Sequence, residues 1–451
     1  MTKFIYPTLD LFLYDLREGL GQTEEEVTEN RLLFKKKLPK INDKQFDERD
    51  EQAFEPEFAE LFGARRYSDF DSEIYKGYYY PVRLNDTYGL LLDCSLKEEQ
   101  QDTELQWIDD LRTYIDDKSN GQDATVGQTL MFSAQLPNVS AQEYEFFAKR
   151  CYEALMPGAD YETNKTGESE FLGGGLFECW KKSTFKSDNM NMESHHVIIA
   201  FYPDEKAMEA ASSLYPDLMR LLMFRHKMMW TYAQSRALKK RLKAGAVKIE
   251  ACRKTLDLYS QQQFNVDKLQ EILNTAWRIL SDYTTALNLL NHQASTMNTN
   301  LDNYRKRLAK IEGKVGQNLD LFKRFSDKVQ EKYSLQLQTE HIHLTHEVRL
   351  LENIIEYIRA RVAIEEERRD RSFQETIAIW GIGLAVGAIV ASLSGQFPKE
   401  QLKEPFIDVI NSLFTMPNIW HEPGISIALS IGAALAAGLV TKLVIWLRRL
   451  W

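Results

Sequence analysis

The sequence predicts an α/β or α+β cytosolic domain, then a long α-helical coiled-coil stalk, then two C-terminal transmembrane helices. Three observations predict it. Strand-like runs separated by turn residues alternate with helical segments over residues 1–215. All 12 prolines lie outside 217–397, and a proline in a helix interior costs about 3 kcal/mol. Two long charge-free runs stand near the end of the chain.

In the front domain, GYYYPVRL (77–84) and YGLLLDCSL (88–96) are joined through Asn85-Asp86-Thr87 and predict a β-hairpin. Val126 to Leu136 predicts a further strand, and Ser140 is placed to cap a helix running to about Leu155. LFECWKK (176–182) and HHVIIAFYP (195–203) predict two more strands, the second apolar enough for a central position. Asp204 opens a short helix. Residues 17–60 are charge-rich with weak periodicity and read as helical or loose. The first 20 residues carry an apolar patch interrupted by acids, which does not fit a signal peptide. FLGGGLF (171–177) lacks both the P-loop ending and the dinucleotide-fold spacing. Gly173, Gly174 and Gly175 read as a turn or bulge before a strand, or as a weak candidate for close backbone approach to a ligand.

The stalk, 216–375, predicts three helices: 216 to about 259, Asn265 or Asp267 to about Gly313, and one from Asn318 that continues into the first span. In the third, Leu337, His341, Leu344, Val348, Leu351, Ile355, Ile358 and Val362 alternate at spacings of four and three, an a/d seam. The seam fits a bundle with the two preceding helices, an oligomeric coiled coil, or both. His341, His343 and His346 lie close together, but no carboxylate or cysteine completes a metal set at an obvious spacing. A polar register position is the simpler role for His341.

Thr376 to Phe397 is a charge-free run of 22 residues. As a helix it would reach about 33 Å, enough for a hydrocarbon core of about 30 Å. The second span is expected over 424–447, with Lys442 snorkelling to the headgroups. Arg359, Arg361, Arg368, Arg369 and Arg371 precede the first run, and Lys442, Arg448 and Arg449 close the second. The positive-inside rule then predicts a two-pass protein of the inner (plasma) membrane with both termini cytoplasmic, a basic tail at 448–451 and an external loop at 398–423. That loop carries an amphipathic helical pattern at 406–414. Gly383, Gly387, Ala391 and Gly395 recur at fourfold spacing, as do Ala428, Gly432 and Ala436. Such stripes let helices approach closely in lipid, and with Ser394 and Gln396 they are the candidate packing and pore positions.

Charge is divided unevenly. Residues 1–200 hold 22 basic against 39 acidic side chains, and residues 201–451 hold 34 against 27. The acidic half argues against a nucleic-acid surface and is compatible with a divalent cation. The 4 cysteines do not form a disulfide scaffold or a CxxC pair. Cys151 and Cys179 read as buried thiols, His195 and His196 as structural, and Asp109-Asp110 and Asp116-Asp117 as a solvated helix face. Without a GxSxG, HExxH or kinase set, the chain is not expected to be an enzyme.

The order of parts over roughly 200–451, the tail IWLRRLW and the segment MPNIW (416–420) before the second run resemble the CorA-like family of divalent-cation channels. That resemblance implies a homo-oligomer, a pentamer, whose first span lines a pore in membrane lipid. It also implies a cytosolic domain that gates the pore on binding a ligand, either a divalent cation such as magnesium or a nucleotide messenger. The family's Gly-Met-Asn signature is missing: Ser394-Gly395-Gln396-Phe397 stands in its place. Divergent members without that signature include membrane effectors of type III CRISPR antiviral defence, which are nucleotide-gated and depolarise the cell. A coiled-coil tether without transport is the reading from a different class.

Overall fold

In the computed structural model, residues 2–39, 43–51, 58–63, 66–101, 105–181, 195–260 and 266–366 are described. They fall into two compact units, one within 1–245 with 283–346, the other within 246–282 with 347–366.

The first unit is built on a mixed sheet. Its strands are β1 (Lys3–Leu16), β2 (Ala59–Glu60), β3 (Ser68–Asp71), β4 (Tyr75–Leu84), β5 (Thr87–Leu96), β6 (Gln100–Gln101), β7 (Gly127–Gln135), β8 (Lys165–Phe171), β9 (Gly174–Lys181) and β10 (His195–Tyr202). The order is β2-β4-β5-β1-β7-β10-β9-β8, with β3 on β4 and β6 on β1. Only the β7–β10 pair is parallel among these described strands. β1 was not expected from the sequence. Its apolar alternation is masked because Asp10 and Asp15, which break the patch, are themselves buried, 0% and 2% exposed. A bulge between Ile5 and Thr8, where Tyr6 adopts φ 49°, resets its register against β7. Phe4 therefore joins Leu9, Leu11 and Leu13 in one core although its number is even.

The predicted hairpin is present. β4 and β5 pair from Tyr75–Leu96 to Leu84–Thr87, and Asn85 takes the left-handed turn position at φ 55°. β10 lies between β7 and β9, as its apolar run implied.

Helices α1 (Glu24–Lys35), α2 (Asp43–Glu51), α3 (Gln106–Lys118), α4 (Ala141–Leu155) and α5 (Tyr161–Asn164) bury Phe34, Phe46, Leu111, Phe147 and Tyr161 on one face of the sheet. Capping fixes where they start. The Glu26 carboxylate accepts from Thr23 N–H at 2.7 Å, and Glu143 accepts from Ser140 N–H at 2.8 Å. The other face is covered by α6 (Glu205–Ser212), α7 (Tyr215–Ser260), α8 (Val266–Val315) and α9 (Asp320–Lys328). The chain after α9 passes through a π-helical segment, Val329–Ser334, into α10 (Leu335–Glu366). The sequence marks this as one helix; the π segment inside it was not legible. Within this unit Gly245 of α7 has the Tyr283 ring of α8 2.7 Å from where a Cβ would sit, so the lone glycine is where two helices approach closely.

In the second unit α7 buries Ile249, Cys252 and Leu256, α8 buries Leu269, Ile272 and Ala276, and α10 buries Leu351, Ile354, Ile355 and Ile358. The Arg359 guanidinium lies 5.5 Å from the Trp277 ring centre. Along the seam Leu337, Leu351, Ile355 and Ile358 are buried, whereas His341, Leu344 and Val348 are half-buried.

The expected architecture is corrected at its C-terminal end. Among the described residues no helix is long and apolar enough to cross a membrane. α7, α8 and α10 carry charged side chains throughout their length, and each charge at the bilayer centre would be costly. The fold is an α/β domain with long helices. The runs at 376–397, 398–423 and 424–447 and the tail lie outside the described residues, and so do Gly383, Gly387, Ala391, Ser394, Gly395, Gln396, Gly432 and Ala436.

Candidate functional site

The residues singled out in the sequence do not come together. Gly173 (φ 77°) and Leu172 (φ 53°) form a two-residue turn closing Phe171 on Gly174, so the glycine-rich run is the β8–β9 hairpin. A Cβ on Gly174 would stand 1.9 Å from the Phe201 carbonyl oxygen, and one on Gly175 would stand 2.8 Å from the Phe177 ring. Their bare backbones are used by close packing within the protein. His343 and His346 are exposed and His341 is half-buried. Among the described residues no group of three or more His, Cys, Asp or Glu is placed to hold a metal ion. Cys151 and Cys179 are fully buried; burial pushes the Cys179 thiol up to about 12. Asp110 and Asp117 are exposed on α3, whereas Asp109 and Asp116 are half-buried.

What the fold does assemble is a buried polar network on the face of the sheet beneath α7. Thr129 (β7), Glu178 (β9) and His196 (β10) sit on neighbouring strands, with Thr129 directly paired to His196. Arg225 and His226 reach them from α7. The Thr129 hydroxyl lies 2.8 Å from His196 Nδ1 and 2.7 Å from His226 Nε2. His196 Nε2 is 2.9 Å from Glu178 Oε1, which also accepts from Arg225 Nη2 at 3.0 Å. The second carboxylate oxygen accepts from the Thr166 hydroxyl at 2.6 Å.

Burial works against the Glu178 charge, but Arg225 and then His196 outweigh it and hold the carboxyl well below the usual carboxylate range. Burial and the nearby Arg225 charge lower His196 to about 4, and burial lowers His226 well below its ordinary value. Both imidazoles are therefore neutral at pH 7. The donor inventory then fixes one polarity. Ionised Glu178 only accepts, so His196 carries its proton on Nε2 and accepts on Nδ1 from Thr129. The Thr129 oxygen in turn accepts from His226 Nε2–H. Gly127 keeps the far side of that ring clear: a Cβ there would lie 2.5 Å from His226 Nδ1.

A hydroxyl, an imidazole and a carboxylate in series have the makings of a nucleophile relay. Burial decides against it. Thr129, His196 and His226 are 0%, 1% and 2% exposed, so no substrate reaches the hydroxyl. The arrangement instead ties three strands to one helix. It extends to α9 as well: the Arg225 guanidinium stands 4.5 Å from the Phe325 ring centre and 5.4 Å from that of Trp180 on β9. Lys328, just before the π turn, faces Trp180 at 5.4 Å. π turns inside α-helices occur frequently at functional sites.

Sequence reasoning treated His196 as structural but missed Thr129, Glu178, Arg225 and His226. A faint signal existed: a glutamate and a histidine inside two strongly apolar strands have to be paired if they are buried. No family model matches the chain, and neither a curated protein nor a solved structure matches it.

Proposed function

We propose that the chain is a signal-transducing subunit that acts at a membrane, in which the sheet domain receives a ligand and the long helices pass the change to residues 367–451. In this reading copies of the chain assemble into a homo-oligomeric channel of CorA-like type, and the ligand is a divalent cation or a nucleotide. The observation that carries the reading is the Thr129–His196–Glu178–Arg225 network. Strand β9 is pinned to α7 by the charge-assisted Glu178–Arg225 hydrogen bond and β7 by the Thr129–His226 hydrogen bond, while His196 of β10 bonds both Thr129 and Glu178. A ligand that shifts the strands therefore does work on α7, a bias between two packings. Support for the membrane part comes from the charge-free sequence at 376–397 and 424–441 and from the arginines before it. The missing Gly-Met-Asn signature argues against magnesium selectivity of the familiar kind, so the permeant ion is left open in this proposal.

The test is ion flux from liposomes containing the full chain, with magnesium, calcium or cyclic oligonucleotides added on the side of the sheet domain. Ligand-dependent flux supports a channel. Absence of flux with every ligand, together with a monomer or dimer by native mass in mild detergent, would replace it with a membrane tether.

A further inference from the structure

Among the described strands the sheet ends at β8, which pairs with β9 on one side only. A strand at the end of a sheet carries a row of backbone groups with no strand to meet. α9 closes part of that row: the Leu321 side chain stands 2.7 Å from where a Cβ on Gly167 would sit. Beyond Gly167, over Glu168–Glu170, two side chains meet the row instead. Arg324 Nη2 donates to the Glu168 carbonyl at 2.8 Å. Gln317 Nε2 donates to the Glu170 carbonyl at 2.6 Å, and Gln317 Oε1 accepts from Leu172 N–H at 3.2 Å. This one amide bridges the carbonyl and the N–H on either side of Phe171, as a residue of a parallel neighbouring strand does. A cavity of about 350 Å³ lies here, lined by Glu168, Ser169, Glu170, Asn318 and Asp320 together with these two side chains. That volume falls at the lower end of binding clefts, which run from about 300 to about 1,000 Å³.

Charge around the cavity selects its occupant. Glu168, Glu170 and Asp320 are exposed there against a single cation, Arg324. Lys165 answers Glu168 at 2.6 Å, so Glu170 and Asp320 carry the attraction for an incoming cation. A second copy of β8 is the wrong partner, because two such edges side by side set glutamates against glutamates. A nucleic acid is repelled for the same reason. We propose that the β8 edge at Glu168–Glu170 is a docking surface for a short extended peptide of another protein, rich in lysine or arginine, which adds to the sheet in place of the Arg324 and Gln317 side chains. In strand addition of this kind main-chain hydrogen bonds supply affinity and alternate side chains supply the choice of partner. The surface goes beyond the channel reading and does not depend on it.

The experiment is fluorescence anisotropy of the full chain in detergent, titrated against labelled peptides of about ten residues. One probe alternates lysine with valine. A second keeps the lysines and replaces the central valines by proline, which cannot donate to a strand ladder. A third alternates glutamate with valine. Saturable binding of the first probe, at least about tenfold weaker for the proline probe and absent for the glutamate probe, supports strand addition. Glu170→Lys should weaken the first probe about tenfold. Gln317→Ala clears the edge without changing its charge, so it should tighten the first probe at least about threefold and leave the proline probe unchanged. That gain is one that neither misfolding nor simple charge attraction produces. Absence of saturable binding, equal binding of the lysine and proline probes, or no tightening in Gln317→Ala overturns the surface. Flux without peptide binding keeps the channel and removes this surface, and peptide binding without flux does the reverse.

Discussion

The two faces of the sheet are held by different physics. The face under α1–α5 is an aromatic and aliphatic core: Phe4 packs against Phe132, Phe147 and Phe201 at 6.3, 5.7 and 6.2 Å between ring centres. It also holds buried ions, Lys37 on Asp15 near the end of β1 and Asp50 of α2 between Arg17 and Arg31, with Asp50 accepting from the hydroxyl of the core residue Tyr88. The face under α6–α9 buries Thr129, Glu178, His196, Arg225 and His226 within the same cluster as Met219, Leu222 and Phe325. An apolar core tolerates swaps that conserve volume. A buried polar network does not, because each partner it loses leaves a desolvated charge or dipole. The first face specifies a stable layer; the second specifies one position of α7 on the sheet.

Breaking one partner of the polar face should have the largest effect. Arg225→Met leaves the Glu178 carboxylate buried and uncompensated, and should cost about 3–5 kcal/mol in guanidinium unfolding of the full chain. Removing both charges, Glu178→Gln with Arg225→Met, should recover part of that loss, and a double-mutant cycle that is additive would show that the pair is not coupled. On the apolar face Phe132→Ala should cost a similar amount, about 3–5 kcal/mol, with no second substitution able to restore it by charge removal.

Acidity separates the faces next. The folded state depresses His196 from 6.5 to about 4, and burial holds His226 well below its ordinary value. Their neutral forms therefore favour folding. That contribution is complete above about pH 6.5 and is lost as pH falls from there through about 4, because the unfolded chain binds protons first. Stability measured by thermal melts from pH 7.5 to 4 should fall in the native chain and fall less in His226→Asn. An equal slope in both would place the acid sensitivity elsewhere. The smallest effect belongs to a cap on the apolar face: Ser140→Ala should cost about 1 kcal/mol through fraying of α4.

Much of the fold was legible. The β4–β5 hairpin, strands β7, β9 and β10, the caps at Ser140 and Asp204, two long helices with boundaries near 215–260 and 266–315, and the start of a third near 320 follow from local pattern. β1 was hidden because buried acids look like solvent-facing ones until their partners are known. The π segment at Val329–Ser334 changes neither composition nor periodicity enough to be seen.

The sequence by itself determined the β4–β5 hairpin, strands β7, β9 and β10 and the long helices, since turn residues, caps and apolar periods act over a few positions. Tertiary structure alone decided the site. Thr129 meets His226 across 97 residues and Glu178 meets Arg225 across 47. Such pairs exist only because the strand order places β7, β10 and β9 side by side and α7 crosses above them. Short-range hydrogen bonds and steric preferences are written residue by residue, whereas the neutralisation of a buried charge depends on whatever the topology brings within 3 Å of it.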